Sequence, residues 1–326
     1  MFKKNIITLI QGFALGIAEI IPGVSGSTVA LLLGIYDDFI DLLYQGTQLL
    51  KTIVFFCIGQ AKIADVKKAW FDIRWRFGIM LGIGMVSAIM GLSSFILYLL
   101  LNTPHFLFAF LIGLTLPTMV IVYAQISKPT TKHVAIGAVT AAIFLAIFML
   151  GEGGGAVTNP HPLHLFLGGM IAISAMVLPG VSGSFMLLIL GLYNFSVGLI
   201  ASVSTGLTTS EITSLLILMA GMATGLLTTV RLLKWGFEKM RNELMSFILG
   251  LLVASWYVLW PFVQVTSIEK GEPVLGKVSI SAFDVPTIAV LVIIAGATAG
   301  LVYGIHSWAD KKDSHSPKDD GGFDRL

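Results

Sequence analysis

The stretch 22–27 reads PGVSGS, and the same six residues recur at 179–184. The match extends on both sides without a gap, because 12–36 (GFALGIAEIIPGVSGSTVALLLGIY) aligns with 169–193 (GMIAISAMVLPGVSGSFMLLILGLY). Six identical residues with matching flanks do not recur by chance in a chain of this length. The sequence therefore contains an internal duplication.

The duplication continues beyond the two motif copies. Phe110 and Gly113 align with Phe247 and Gly250, but at a smaller spacing than the motif copies. The first half thus contains about 20 additional residues between 45 and 77, in a stretch rich in basic residues.

Composition indicates a protein whose solvent is lipid. Apolar residues make up 56% of the 326 and charged residues only 12%, far from the balance of a soluble domain. Membrane lipids are therefore expected partners, and nucleic acid is not. The single cysteine, Cys57, excludes a disulfide framework and a multi-thiolate metal site, so we expect no metal and no cofactor.

Apolar segments alternate with short polar stretches along most of the chain. Ten can be marked: 5–21, 24–45, 77–101, 105–125, 133–150, 163–178, 183–205, 212–232, 244–264 and 284–306. Several reach the ~20 residues that a membrane-spanning helix needs. The first and sixth are shorter, and each ends at a Pro-Gly pair. Each is predicted to form a hairpin with the next segment, either re-entrant or crossing completely.

The distribution of basic residues predicts the topology. If the N-terminus is cytoplasmic and each hairpin returns to its starting side, all Lys and Arg residues except Lys270 and Lys277 lie in cytoplasmic stretches. Each half then crosses the membrane an odd number of times, so the second half is inverted relative to the first. The two hairpins enter from opposite faces, and their tips are expected to approach each other near the midplane.

The predicted fold is an all-α integral membrane protein with two inverted repeats, each a helical hairpin plus three transmembrane helices. The first repeat is expected at 1–150, with a basic cytoplasmic loop at 46–76, and the second at 151–308. The final stretch, 309–326, contains almost nothing apolar and is predicted to be a disordered cytoplasmic tail. Both termini are thus expected in the cytoplasm.

The hairpin tips have the chemistry of an anion site. Proline ends the first arm, glycine permits close approach of a ligand, and serine is a favoured N-cap of the helix that follows. Free N–H groups and the helix dipole attract anions such as phosphate. The candidate substrate-binding residues are Pro22, Gly23, Ser25, Gly26, Ser27, Pro179, Gly180, Ser182, Gly183 and Ser184. Alternatively, the serines only cap two helices and the glycines only allow tight turns.

One acidic residue lies inside the first arm. Glu19 precedes Pro22 by three positions in an otherwise apolar segment, and its counterpart in the second half is Met176. An ionisable side chain in a membrane segment is a functional candidate by default. Glu19 is thus the candidate for ion coupling, unless its carboxylate only caps or hydrogen-bonds a hairpin. Weaker candidates near the cytoplasmic end of the next segment are Asp37, Asp38 and Asp41.

The two motif contexts, GIAEIIPGVSGST and AMVLPGVSGSF, resemble the polyprenyl-phosphate transporters, a family long catalogued as a domain of unknown function. The resemblance covers about 5–306. It implies a protein that returns undecaprenyl phosphate, the lipid carrier of cell-wall synthesis, from the outer to the cytoplasmic leaflet of the bacterial inner membrane. It also implies that the ten motif residues bind the substrate and that Glu19 occupies the family's acidic position.

Two other functions are set against this one. Membrane phosphatases of undecaprenyl pyrophosphate have a Glu-x-x-x-Glu pair and a Pro-Gly-x-Ser-Arg-Ser tip. Here Leu15 stands four residues before Glu19, and Gly183 occupies the arginine position. Without that arginine and one carboxylate, binding without hydrolysis is favoured, so we expect no enzyme. The other alternative is a carrier of a small soluble oxyanion.

Overall fold

The computed structural model describes residues 2–21, 23–151, 155–269 and 272–314, and within them the chain folds into thirteen α-helices. The predicted class, an all-α integral membrane protein, is confirmed. The first half contains α1 (Phe2–Ile20), α2 (Gly26–Leu32), α3 (Tyr36–Cys57), α4 (Ile63–Phe71), α5 (Trp75–Asn102), α6 (Pro104–Ala124) and α7 (Thr131–Gly151).

The second half repeats this order without a counterpart of α4. It contains α8 (Pro162–Val177), α9 (Gly183–Ile189), α10 (Tyr193–Thr205), α11 (Thr209–Lys239), α12 (Arg241–Val258) and α13 (Val285–Ser314). The first and second copies of the motif thus connect α1 to α2 and α8 to α9.

Five helices in the described part of the chain are long and apolar enough to cross a membrane, namely α5, α6, α7, α11 and α13. The bent pair of α9 and α10 is a sixth candidate span. Helix α12 is shorter, with 18 residues and a length of about 27 Å. Much of it is buried, including Met245, Ile248 and Leu251, so α12 is a central helix with little surface left for lipid.

The second arm of each hairpin is a broken helix, although 24–45 and 183–205 were each expected as one continuous segment. The first breaks at Gly34, with φ 68°, and the second at Gly191, with φ 69°. A left-handed backbone angle cannot continue a right-handed helix, so a glycine ends α2 and α9 after seven residues. Across the second break, α9 and α10 differ in direction by 117°.

Close helix contacts repeat between the halves. Helix α1 packs on α5, and α8 packs in the same way on α11. A Cβ atom added to Gly84 would overlap the carbonyl oxygen of Leu9, and one added to the aligned Gly221 would overlap that of Phe166. Glycine at these positions lets the two helix backbones approach without an intervening side chain.

The last helix of each half packs against the other half. A Cβ atom on Gly113 of α6 would lie 2.7 Å from Cβ of Thr298 in α13. A Cβ atom on Gly250 of α12 would likewise lie 2.7 Å from Cβ of Thr140 in α7. The two contacts are thus equivalent, one in each half. The duplication is therefore a repeat of structure as well as of sequence.

A two-stranded antiparallel sheet lies between α12 and α13, and it was not predicted. Strand β1 (Val263–Glu269) pairs with β2 (Glu272–Lys277), with Val263 opposite Lys277. The pairing register shifts between Val265 and Ser267, so the ribbon contains an irregularity there. This hairpin lies in the loop that the basic residues predict to be external.

The C-terminal end differs in part from its prediction. Helix α13 continues to Ser314, so the first residues of the tail predicted to be disordered from 309 are helical. The remainder, 315–326, lies outside the described residues.

Candidate functional site

Both motif copies adopt the same backbone turn. Gly23 has a φ of 85° and Gly180 a φ of 87°, in the left-handed region that glycine enters without steric cost. Before the second turn, Leu178 is extended, with a ψ of 130°, as expected for a residue that precedes proline. Pro22, the corresponding proline of the first copy, lies outside the described residues.

The N-terminus of α2 is occupied by a carboxylate of the protein. The backbone N–H of Gly26 donates a hydrogen bond of 2.9 Å to Oε1 of Glu19. Ser25 is the N-cap of α2, but its hydroxyl makes no capping hydrogen bond. A helix N-terminus attracts acceptor groups, and at this tip the side chain of Glu19 occupies it. A Cβ atom on Gly26 would lie 2.5 Å from Oε1, so glycine is required for this contact.

The N-terminus of α9 is capped in a different way. Ser182 accepts a hydrogen bond of 3.5 Å from the backbone N–H of Phe185, as a serine N-cap does. Met176 occupies the position of Glu19, so no carboxylate approaches this tip from its own arm. The Ser182 hydroxyl also contacts that of Ser184 at 2.9 Å, and Ser25 and Ser27 form the equivalent pair in the first tip.

The structure brings the two tips together. The Ser25 hydroxyl donates a hydrogen bond of 3.0 Å to the carbonyl oxygen of Met176. The N–H of Gly180 donates one of 2.8 Å to the hydroxyl of Thr28. Tyr36 adds a third, from its hydroxyl to the carbonyl oxygen of Val177 at 3.0 Å.

Thr28 and Tyr36 are the functional candidates that the sequence reasoning missed. Thr28 directly follows the first motif, and its counterpart Phe185 has no hydroxyl, so the duplication gave no signal for it. Tyr36 does have a signal, because it aligns with Tyr193 at the end of the matching stretch.

Helix α12 forms the wall behind both tips. A Cβ atom on Gly23 would lie 2.9 Å from a side-chain methyl of Val258, and one on Gly180 would lie 3.0 Å from the backbone of Leu251 and Leu252. The two positions are two helical turns apart, about 10 Å along α12. The tips therefore overlap side by side along this helix and do not meet end to end.

The two tips differ in exposure. Ser25 and Ser27 are buried, with 2% and 1% of their surface exposed. In the second tip Ser182 is buried, whereas Ser184 and Met176 are exposed. The second tip is therefore exposed at Ser184, while both serines of the first tip are buried.

An ion-pair cluster joins the two halves next to the tips. Asp37 at the start of α3 contacts Arg241 of α12 at 3.0 Å. Asp41 contacts Lys234 of α11 at 3.0 Å, and Asp38 contacts Arg74 within its own half at 2.6 Å. The three aspartates are thus ion-paired. Tyr36, adjacent to Asp37, connects this cluster to the tips.

This arrangement suits recognition of an anion without a buried full positive charge. Two helix N-termini and five hydroxyl groups lie close together, and the cationic groups named above are held by aspartates at the edge. The five hydroxyls belong to Ser25, Ser27, Thr28, Ser182 and Ser184. Such groups stabilise a phosphate through dipoles and hydrogen bonds.

Comparison with known proteins gives consistent matches. A family model described as undecaprenyl phosphate translocase-like matches residues 15–274. A Vibrio cholerae protein named polyprenyl-phosphate transporter is 31% identical over 325 residues, which cover 93% of this chain and 97% of the relative. A Staphylococcus aureus protein of the same name is 31% identical over 265 residues, 78% of this chain and 86% of the relative. No solved structure matches the chain.

Proposed function

The chain belongs to the undecaprenyl phosphate translocase-like family, and from this premise we propose that it transports a polyprenyl phosphate across the membrane. The proposed direction is the return of undecaprenyl phosphate from the outer to the inner leaflet of the bacterial cytoplasmic membrane. The observation that carries the proposal is the meeting of two anion-attracting helix N-termini, supported by the hydrogen bonds from Ser25 to Met176 and from Gly180 to Thr28.

The proposed phosphate site consists of the two tips. The N–H of Gly26 and the hydroxyls of Ser25 and Ser27 serve one side of the phosphate, and Ser182 and Ser184 serve the other. The flanking Gly23, Pro179, Gly180 and Gly183 shape the backbone of the site. Because Ser184 is exposed and Ser25 is buried, the phosphate reaches the second tip first.

Glu19 is proposed to compete with the phosphate. Its carboxylate already accepts the Gly26 hydrogen bond that a phosphate oxygen would need. Two anions repel each other at this distance, so a phosphate enters the first tip only when Glu19 is protonated or moves away. This competition would couple transport to an ion, with Glu19 as the coupling residue.

The proposed topology places both termini in the cytoplasm and inverts the two repeats. The residues of 1–150 and 151–308 then form halves that can tilt against each other, as in other transporters with inverted repeats. On the cytoplasmic side the pairs Asp37–Arg241 and Asp41–Lys234 link the halves, so they are suited to hold that side closed. We propose that these pairs separate when the phosphate leaves toward the cytoplasm.

The proposal that the chain is not an enzyme rests on two positions. The family of phosphatases set against it requires an arginine where Gly183 stands, and a Cβ atom there would lie 2.5 Å from the carbonyl oxygen of Ala172. Leu15, at the position of the second carboxylate, is buried in the apolar core. Release of phosphate from undecaprenyl pyrophosphate by the purified protein would reverse this conclusion.

A transport assay with matched variants tests the proposed function. Liposomes containing the purified protein should move a labelled polyprenyl phosphate between leaflets, and the variant Ser25→Ala with Ser182→Ala should lose most of this activity. The control is Ser87→Ala on α5, whose hydroxyl donates only to Gly84 of its own helix. If both variants transport equally well, the serines of the tips are not needed for transport.

Two further measurements separate the substrates. In cells without redundant flippases, deletion of the protein should increase exposure of undecaprenyl phosphate on the outer surface, and unchanged exposure would contradict the direction proposed. Uptake of labelled inorganic phosphate into the same liposomes would instead support a carrier of small soluble oxyanions.

A further inference from the structure

The additional residues of the first half form an arm that leaves the helical body. Helix α3 has 22 residues and a length of about 33 Å, and α4 folds back against it. The first part of α3 is held by the body, through the burial of Tyr36, Ile40 and Thr47 and through the ion pairs of its aspartates. All residues from 53 to 60 are exposed. We refer to residues 50–75 as the surface arm.

The surface arm exposes many large apolar side chains. Phe71 has 78% of its surface exposed, the highest value among these apolar side chains. The others in this group are Leu50, Ile53, Val54, Phe55, Phe56, Ile58, Ile63, Trp70 and Trp75. An apolar surface of this kind is stable only if it is covered, and no other part of the described chain covers it.

Basic residues border the apolar side chains of the surface arm. Lys51 precedes the exposed stretch, Lys62 follows it, and Lys67 and Lys68 lie on α4. The rings of Trp70 and Trp75 contact each other at 4.3 Å between centroids, and the indole N–H of Trp75 donates to the carbonyl oxygen of Trp70 at 2.9 Å. Tryptophan with lysine beside an apolar face is typical of the membrane–water interface.

The ion pairs of α3 restrict where the surface arm can lie. Lys234 and Arg241 flank the junction of α11 and α12, which the distribution of basic residues places at the cytoplasmic boundary. From this boundary α3 can continue into water, into hydrocarbon or along the bilayer surface. The first course exposes Phe55 and Phe56 to water, and the second buries Lys51 in hydrocarbon. Only the third suits both groups.

We propose that the surface arm lies on the cytoplasmic leaflet, with its apolar side chains in the interface and its lysines bound to anionic phospholipid headgroups. The apolar stretch between Lys51 and Lys62 is too short to span a bilayer, which agrees with this position. The four lysines of the arm outnumber its two acidic residues, Asp65 and Asp72, so the arm attracts anionic lipid by charge complementarity. The second half has no counterpart of α4, so only the cytoplasmic leaflet is recognised in this way.

The single cysteine of the chain offers a direct test. Cys57 is exposed in the middle of the surface arm, so the otherwise unmodified full-length protein can be labelled there with an environment-sensitive fluorophore. The labelled protein is placed in nanodiscs of phosphatidylcholine, with or without phosphatidylglycerol. We expect a blue shift of the emission when phosphatidylglycerol is present. Lipids brominated near the headgroup should quench the fluorophore more than lipids brominated near the chain end.

Two sets of variants test whether the lysines and the apolar side chains of the arm cause the emission shift. Lys67→Gln with Lys68→Gln should abolish the additional shift caused by phosphatidylglycerol, whereas Lys128→Gln, in another exposed and basic cytoplasmic loop, should not. Trp70→Ala with Phe71→Ala should shift the emission to the red in both lipid compositions. Melting temperature in detergent serves as the check that each variant is folded.

Other outcomes would overturn the proposal. Emission typical of water, with quenching by aqueous iodide, would place the arm in the cytoplasm. Strongest quenching by lipids brominated near the chain end would place α3 in hydrocarbon. If the fluorophore is shielded from water but is not quenched by any lipid, and if this shielding depends on protein density, a second copy of the chain covers the arm. Because these readouts do not use transport, a failed transport assay leaves them interpretable.

Discussion

The carboxylate of Glu19 accepts a hydrogen bond of 2.9 Å from the backbone N–H of Gly26 and so occupies the N-terminus of α2. If the charge of Glu19 opposes phosphate binding, Glu19→Gln, which keeps an acceptor for this N–H but removes the charge, should bind polyprenyl phosphate about tenfold more tightly, an effect of roughly 1.4 kcal/mol. Binding to the wild-type protein should strengthen at lower pH more than binding to the variant. Titration of purified protein in detergent measures both, and identical pH profiles would contradict the competition.

Gly26→Ala should impair transport without unfolding the protein. The added Cβ atom would lie 2.5 Å from Oε1 of Glu19, so the carboxylate must move away from its N–H partner. We expect a loss of stability of about 1–3 kcal/mol, typical of added volume at a packed site. Gly82→Ala is the control, since no atom lies within 4 Å of its Cβ position. Transport and thermal unfolding should both be normal in the control.

Thr28→Val should destabilise the contact between the tips. The change keeps the shape of the side chain but leaves the buried N–H of Gly180 without its acceptor, at a cost of about 1–3 kcal/mol. Thr28→Ser keeps the hydroxyl and should cost less. Thr224→Val is a matched control because that hydroxyl is exposed and donates only to Ala220 of its own helix. Equal unfolding temperatures for Thr28→Val and the control would contradict the role of this hydrogen bond.

Asp37→Arg should favour the conformation that is open to the cytoplasm. The change places two cations together where Asp37 and Arg241 now form an ion pair. Both side chains are about half exposed, so the effect on stability should be within about 1 kcal/mol. The effect on the transport rate should be larger. The reactivity of the thiol in a Ser25→Cys variant that lacks Cys57 should also change.

The double variant Asp37→Arg with Arg241→Asp tests this interpretation. It restores opposite charges and should restore the wild-type reactivity at position 25. Lys132→Gln, which breaks the exposed pair with Glu243 between α7 and α12, should have no effect, since those helices already pack closely through Gly250. If the double variant behaves like the single one, the ion pair does not control access.

Local sequence signals were sufficient for most of the fold. The duplication, the apolar lengths and the two Pro-Gly pairs predicted the helices and the positions of both tips, because each signal depends on neighbouring residues. The breaks at Gly34 and Gly191 were missed, although both glycines align in the duplication, since glycine also occurs within membrane helices. The strands β1 and β2 were missed because a short ribbon leaves little periodicity in a loop.

The candidate site was predicted in part. Repetition identified the serines and glycines of both tips, and the apolar context identified Glu19. The partners of these residues depend on how distant segments meet, as with Thr28 and Gly180, and no spacing along the chain encodes that contact. The difference in exposure between the equivalent residues Ser27 and Ser184 likewise arises from tertiary packing and not from the motif, which is identical in both copies.

The exchange of the last helices between the halves affects how the protein can be made. Gly113 of α6 is complementary to α13, which leaves the ribosome long after α6 has entered the membrane. Until then, the face of α6 around Gly113 is exposed to the translocon and the surrounding lipids. The two halves therefore mature together, at the end of synthesis, and a truncated chain that ends before Val285 should be recognised by membrane proteases as incomplete.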